Sequence, residues 1–340
     1  MTQWTELIQR DHKSSKMDDD HARDRPLSVA YLGPPASFSH QAALAVLPSA
    51  NLTPLPSFSS IFEGLLRPAK GDVGDLGGAP LIDFAVLPIE NSTNGSVVQA
   101  LDLLAKCSEG DPYADIQVCE EHYLPVHHFI YTNANNTNSC SKYLAQHFPH
   151  AERIDVSSTS TAALLVAKDE SGGSAAICSR LAGKSWKLKC LGEQIEDEPG
   201  TNTTRFFVLR NRTRPRGEDS LPSRRRVALR PPPPSPPTGR GDEVNAKALV
   251  LFTINHVVPG SLSTALQVFA KHGLNLTRID TRPSRQCSWH YVFFVECKER
   301  VKDIDNSKDT KLQGASEELQ GLTESVTCLG RWIDMLQFEE

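Results

Sequence analysis

The chain has 340 residues, enough for two or three domains, and its 39% hydrophobic and 23% charged residues suit a globular protein. A net charge of -5 argues against a general nucleic-acid binder, and no apolar run approaches the roughly 20 residues needed to cross a bilayer. The eight cysteines show neither a CxxC pair nor metal-ligand spacing with histidine, so they are expected to be reduced, small apolar residues.

Residues 1–26 are polar, with Asp18, Asp19 and Asp20 and no apolar leader core, and are expected to form a disordered tail on a cytoplasmic protein. Ser28-Val29-Ala30-Tyr31-Leu32 then spells a strand running into the turn Gly33-Pro34-Pro35. A helix is expected from Ser39, with Ala42, Ala43, Val46 and Leu47 on one face. The glycine-rich stretch from Gly71 to Gly78 lacks the Lys and Ser/Thr of a phosphate-binding loop and reads as a flexible insertion. Phe84-Ala85-Val86-Leu87 is a second strand, followed by Pro88-Ile89-Glu90-Asn91-Ser92-Thr93-Asn94-Gly95-Ser96 and a helical spacing at Val97, Val98, Leu101 and Leu104. Residues 124–131 and 175–178 read as strands, and 158–168 as a helix with hydroxyls at its start and Ala162, Leu165 and Val166 inward. Thr201 to Phe206 sets hydroxyls, an amide and an arginine directly before an apolar strand. This alternation implies an α/β domain whose ligand sits where strand ends meet helix N-termini.

Between 210 and 245, Pro231 to Pro234, Arg224 to Arg226 and the absence of apolar periodicity spell a linker, because proline enforces extended geometry and removes backbone donors. Beyond it the pattern becomes strand 248–254, helix 261–272, strands 275–280 and 290–296, a polar helix near 308–322 and a strand around 326–329. That order is the βαββαβ of the ferredoxin-like split βαβ.

Four turns are rich in hydroxyls and amides: 33–39, 88–96, 157–161 and 201–206. Helix N-termini leave N–H groups unsatisfied and carry positive partial charge, so such turns together with Arg205 suit a small polyanion bearing carboxylates. Ser, Thr and Asn also cap helices, and each turn alone fits capping better than a ligand site.

The joint order of these turns is what discriminates. Gly33-Pro34 with Ser37-Phe38-Ser39, Pro88-Ile89-Glu90-Asn91-Ser92 with Gly95, Ser158-Thr159, Ile195-Glu196-Asp197, and Asn202 with Thr204-Arg205-Phe206 together resemble the prephenate dehydratase family over about residues 27–210. Ala36 stands where the family's first turn has glycine, which is expected to remove access to positive φ and shift the turn. Pro259-Gly260-Ser261-Leu262 and Asp280-Thr281-Arg282-Pro283 are similar to the two motifs of the ACT regulatory domain that follows the catalytic domain in that family.

The resemblance implies a two-lobed, periplasmic-binding-protein-like catalytic domain at 27–211 with a substrate cleft and a second lobe at about 125–202. A linker at 212–244 and an ACT domain at 245–340 would follow. It implies conversion of prephenate to phenylpyruvate, water and CO2 without cofactor or metal, and feedback by L-phenylalanine. No nucleic acid or membrane partner is implied, and ACT pairing suggests a homodimer or homotetramer. Carried over residue by residue, Thr204 and Arg205 are the catalytic pair, with Arg205 as carboxylate clamp and Thr204 as donor to the leaving hydroxyl. Ser37, Ser39, Asn91, Ser92, Gly95, Ser158, Thr159, Asn202 and Phe206 would line the substrate. Gly260, Ser261, Leu262, Asp280, Thr281, Arg282 and Pro283 would hold phenylalanine. Glu90 is open to two readings, proton donor or structural residue. Arogenate dehydratase and a non-catalytic amino-acid sensor are the competing readings.

Overall fold

The computed structural model describes residues 25–67, 81–133, 154–196, 200–214, 221–222, 244–285, 287–301 and 311–338. Residues 1–24 of the expected tail, the glycine-rich insertion, Asp197 and most of the linker lie outside the described residues. In chain order the elements begin β1 (Ser28–Leu32), α1 (Phe38–Val46), β2 (Asn51–Leu55), α2 (Phe58–Leu66), β3 (Phe84–Asn91), β4 (Gly95–Ser96), α3 (Val98–Leu104) and β5 (Ile116–Pro125). There follow β6 (Phe129–Thr132), α4 (Thr159–Lys168), β7 (Ala175–Cys178), α5 (Arg180–Ser185), β8 (Lys189–Gly192) and β9 (Thr203–Asn211). The C-terminal part contains β10 (Val244–Thr253), α6 (Ser261–Lys271), β11 (Asn275–Pro283), β12 (Tyr291–Val301), α7 (Lys311–Leu322) and β13 (Ser325–Ile333). No helix among the described residues is long and apolar enough to cross a membrane.

Two sheets organise these elements. The large one has strand order β11-β12-β10-β13-β5-β9-β3-β1-β2, with β4 paired to β3, and the small one runs β7-β6-β8. Edge strand β2 carries Pro54, a residue that cannot donate to a ladder on both sides. The expected strand at 124–131 is split: β5 ends at Pro125 in the large sheet and β6 begins at Phe129 in the small one. Proline forces the break, and the chain crosses between sheets at Val126, whose N–H donates to the Asn202 carbonyl at 2.8 Å.

The C-terminal elements follow the expected βαββαβ order, and their strands run β11-β12-β10-β13 in space. They join the rest of the large sheet at one parallel pair, Gly330 opposite Val118. Gly330 has φ 153°, and a β-carbon there would collide with the Val118 carbonyl, so the junction requires glycine.

One apolar cluster is shared across this junction. Ile61, Phe62, Leu65, Leu101 and Phe207 pack with Leu249, Leu251, Phe294, Leu329 and Trp332, and the Trp332 ring meets Phe207 edge-on at 5.2 Å. A second cluster, with Val29, Tyr31, Ala43, Phe84, Val86, Phe206 and Val208, fills the opposite face beneath α1. Two members of the expected helical spacings do not face inward. Val98 is 46% exposed and Leu165 52% exposed, because α3 buries Ala100, Leu101, Leu103 and Leu104, and α4 buries Ser160, Ala163 and Val166. The expected positions Leu101, Leu104 and Val166 are buried, so each helix seats part of the anticipated stripe and turns one member of it to the surface.

Candidate active site

Strand β9 carries the most informative segment, and its period of two separates residues that stand side by side in sequence. Phe206 and Val208 belong to the cluster under α1, whereas Phe207 and Leu209 belong to the cluster shared with the C-terminal elements. Thr204 therefore faces the α1 side and Arg205 the other. Strand β3 pairs antiparallel with β9, and its ladder slips between Pro88 and Glu90, so that Glu90 sits opposite Arg205 and Asn91 opposite Thr204. The bulge matters for the site. Strict alternation would place Asn91 with Ile89, whereas the extra residue turns Asn91 to the Thr204 face and Glu90 to the Arg205 face.

On the Thr204 face the hydrogen bonds determine donors and acceptors. The Asn91 Oδ1 accepts from the N–H groups of Thr93 and Asn94 at 3.0 Å each, which fixes the amide orientation. Its Nδ2 then donates to Thr204 Oγ1 at 3.0 Å and to Asn202 Oδ1 at 2.7 Å. Because Thr204 Oγ1 accepts from an amide, its own proton points elsewhere, and no described residue accepts it. A hydroxyl held in this way is an oriented donor.

Other expected residues are placed as follows. Ser92 Oγ donates to the Thr201 carbonyl at 2.7 Å and accepts from the Thr203 N–H at 2.9 Å, tying the turn to the start of β9. Gly95, at φ 75°, turns the chain between β3 and β4. Ser37 caps α1 by accepting from the His40 N–H at 3.2 Å, while Ser39 is buried in the first turn. Ser158 caps α4 by accepting from the Thr161 N–H at 3.1 Å, with Thr159 as the first helical residue. Phe206 is buried in the core beneath α1, so it supports the strand from below.

The turn at Ala36 departs from expectation. Ala36 keeps positive φ, at 65°, and its N–H donates to His40 Nδ1 at 2.9 Å. Burial lowers the His40 pKa, in keeping with a neutral ring that accepts this bond. A left-handed alanine costs roughly 1–2 kcal/mol, and packing its methyl against Phe129 and Tyr131 recovers about 0.8 kcal/mol of that.

Arg205 is placed apart from Thr204. It is 6% exposed and its guanidinium is already engaged: Nη2 donates to Glu121 Oε2 and to Glu296 Oε2, each at 2.6 Å, and Nε donates to Glu121 Oε2 at 3.0 Å. Glu90 stands 3.9 Å away on the same face. Burial opposes its charge, and Glu121 and Glu296 more than offset that effect, so its pKa is raised. A cation neutralised by two buried carboxylates, on the face opposite Thr204, is not placed as a free clamp. Period two is the physical reason. The network continues from Glu121 Oε1 to Lys247 Nζ at 3.0 Å, and from Lys247 to Asp334 at 3.0 Å. Sequence reasoning missed Glu121, Lys247 and Glu296, although a lone charge inside an apolar strand, as in Phe293-Phe294-Val295-Glu296, was the available signal.

The crossover between sheets holds a second pair absent from the expected list. His127 Nδ1 lies 2.7 Å from Glu196 Oε1, and Glu196 Oε2 accepts from the His128 N–H at 3.0 Å. Burial works against the Glu196 charge, but the bonds from His127 and His128 prevail and bring its pKa down to about 2.

The residues expected to hold an effector are distributed between two settings. Gly260, in the left-handed region at φ 84°, precedes α6, which begins with Ser261 and Leu262. On β11, Asp280 Oδ1 accepts from Ser96 Oγ at 2.6 Å and Arg282 Nε donates to Asp102 Oδ1 at 2.6 Å, so both side chains reach the N-terminal part of the chain. Thr281 and Pro283 alternate to the exposed side. No group of three or more His, Cys, Asp or Glu suited to a metal ion occurs among the described residues.

Comparison with known proteins now adds to this geometry. The family model for prephenate dehydratase matches residues 29–214. The bifunctional chorismate mutase/prephenate dehydratase of Stutzerimonas stutzeri is 32% identical over 297 residues, covering 83% of this chain and 68% of that protein. The crystal structure of prephenate dehydratase in complex with L-Phe from Arthrobacter aurescens superposes with a TM-score of 0.66 at 23% identity, covering 91% of this chain and 90% of that one. GqqA, described as a novel type of quorum quenching acylase, has a TM-score of 0.65 at 21% identity, covering 91% of this chain and 99% of that one. At such identities the two structures establish a shared fold alone. The family model spans more than half of the chain and covers both the Asn91 turn and the Thr204 strand, and on that ground the chain belongs to the prephenate dehydratase family.

Proposed function

We propose that the chain converts prephenate to phenylpyruvate, with Thr204 as the donor to the departing hydroxyl and L-phenylalanine as a feedback effector. The observation that carries this reading is the Asn91 to Thr204 hydrogen bond of 3.0 Å, which occupies the threonine oxygen as acceptor and frees its proton for a ligand. In the reaction the ring carboxylate leaves as CO2, its bonding electrons pass through the ring, and the ring C–O bond breaks. The departing hydroxide takes up a proton to become water. Aromatisation supplies the driving force, so the protein's tasks are to orient the two carboxylates and to stabilise charge on the leaving oxygen. Threonine is too weak an acid to transfer a proton unaided, and its contribution is an oriented hydrogen bond. Glu90, on the face opposite Thr204, takes the structural role of the two readings open to it.

With Arg205 occupied, the substrate carboxylates are assigned to the capped N-termini of α1 and α4, where backbone N–H groups and the helix dipole favour anions. The two sheets are taken as two lobes of a periplasmic-binding-protein-like catalytic domain over 27–211. The substrate cleft is placed between them, with the second lobe at about 125–202 and the crossings at Val126 and Asn202 as its hinge. Residues 245–340 are taken as an ACT domain binding phenylalanine around Gly260 and 280–283. The βαββαβ order and the relative from Arthrobacter aurescens, whose structure is a complex with L-Phe, support this assignment. Assembly as a homodimer or homotetramer in the cytoplasm accompanies the proposal.

The test mixes purified protein with prephenate and follows phenylpyruvate, with arogenate as a second substrate. Turnover of prephenate is expected, and Thr204→Ala should fold normally and lose about 100-fold in kcat, the scale of one oriented donor. Near-normal turnover by Thr204→Ala would remove the threonine assignment, and product from arogenate alone would change the substrate.

A further inference from the structure

We infer that Glu296, seconded by the Ser96 contacts of Arg278 and Asp280, is the mechanical connection through which the C-terminal unit acts on the reactive strands. The inference rests on the proposed reading of that unit as the effector-binding part. Strands β3 and β9 are built alike at this point. Each presents a site residue to one face, Asn91 and Thr204, and the adjoining residue, Glu90 and Arg205, to the face covered by β11 and β12. The C-terminal unit grips both adjoining residues. Glu296 on β12 holds Arg205 at 2.6 Å, and Arg278 on β11 approaches Glu90 at 3.4 Å.

Further contacts hold β4, which pairs with β3, and α3, which follows it. Ser96 Oγ donates to Asp280 at 2.6 Å and accepts from Arg278 at 3.0 Å, and Asp102 holds Arg282 at 2.6 Å. Asp280 and Arg282 belong to the segment 280–283 to which the effector is assigned. Motion of β11 and β12 is therefore delivered to residues one peptide unit from Asn91 and Thr204. The bond between these two spans 3.0 Å and weakens steeply once its geometry is lost, so a sub-ångström displacement suffices to turn the threonine donor away. Glu296 is suited to carry such a displacement because it is itself braced, accepting from Thr277 Oγ1 at 2.7 Å on the neighbouring strand.

The experiment uses the full chain and two readouts, inhibition of prephenate turnover by L-phenylalanine and direct binding of L-phenylalanine by calorimetry. Glu296→Gln keeps the shape of the side chain and removes its charge. It is expected to bind phenylalanine within about three-fold of the parent, while half-inhibition requires at least about five-fold more phenylalanine, the lower end of usual allosteric coupling. Ser96→Ala should shift inhibition in the same direction by a smaller factor. It decides the matter by itself if Glu296→Gln fails to fold. Glu299→Gln is the control, since Glu299 pairs with Arg331 at 2.9 Å and, three residues along a strand of period two, lies on the face of β12 opposite Glu296; it should be inhibited as the parent is. Inhibition curves unchanged in the substituted proteins, loss of phenylalanine binding in Glu296→Gln, or an equal shift in Glu299→Gln would each overturn the inference. A parent protein that turns over prephenate but ignores phenylalanine overturns the effector reading beneath it. No turnover by the parent overturns the proposed activity itself.

Discussion

Replacing Arg205 by methionine distinguishes a substrate clamp from a structural keystone. The side chain is 6% exposed and serves Glu121 and Glu296 at once. Without it Glu121 keeps Lys247 Nζ and the Met335 N–H, each at 3.0 Å, but Glu296 keeps only the Thr277 hydroxyl among the bonds described. Removing one partner of a buried ion pair leaves an uncompensated charge, which typically costs 3–5 kcal/mol, so Arg205→Met should lose about 4 kcal/mol in denaturant unfolding. Adding Glu296→Gln removes the orphaned charge and should restore more than half of that loss. Thr204→Ala, by contrast, gives up one neutral hydrogen bond and should cost about 1 kcal/mol. Steady-state kinetics well below the unfolding transition supply the second axis. Arg205→Met should keep KM within about three-fold of the parent, because its charge faces away from Thr204, whereas loss of a charged binding partner would cost 1.4 kcal/mol or more, a factor of at least about ten in KM. A tenfold rise in KM with stability within about 1 kcal/mol of the parent would refute the reasoning and return Arg205 to the clamp role.

Three further outcomes follow from the geometry. Gly330→Ala drives a methyl group into the Val118 carbonyl at the junction of the large sheet, so its unfolding midpoint should fall while isolated-strand propensity would favour alanine; an unchanged midpoint would show that the junction is not held as described. Glu196 has its pKa depressed from 4.5 to about 2, so the stability it contributes is fully present above pH 4.5 and disappears as pH falls through about 2. The stability difference between the parent and Glu196→Gln should therefore shrink across that window, and a difference independent of pH would discount the His127 and His128 bonds. Truncation at residue 244 uncovers Phe207, Ile61 and Leu101, which pack with Leu249, Phe294 and Trp332, so the shortened chain should bind the apolar dye ANS and unfold at lower denaturant than the full chain. A truncated protein as stable as its parent would show the two cores to be independent.

Much of this molecule is legible in its sequence. The motifs 33–39, 88–96 and 201–206 named the family, and the hydroxyl-rich start of α4, its boundaries and the βαββαβ order were readable because each depends on local chemistry: capping hydroxyls, apolar period and turn residues. The inward positions of α3 and α4 were placed less well, since a helix with apolar residues on more than one face does not itself declare which face meets a neighbour.

The sequence by itself determined which residues are the candidates for the chemistry: Asn91, Asn202 and Thr204 stand in motifs whose composition suits hydrogen bonding to an anion, and Arg205 stands beside them as a cation. Tertiary structure alone decided which of them act together. Thr204 and Arg205 are neighbours in the chain and lie on opposite faces of a sheet, because successive strand residues alternate and nothing local states which face meets a ligand. The β3 bulge brings Asn91 to the threonine, and Glu121 and Glu296, at separations of 84 and 91 residues from Arg205, take up the arginine. Those are long-range facts: they depend on strand register and on burial of charge across a shared core, which no window along the sequence contains.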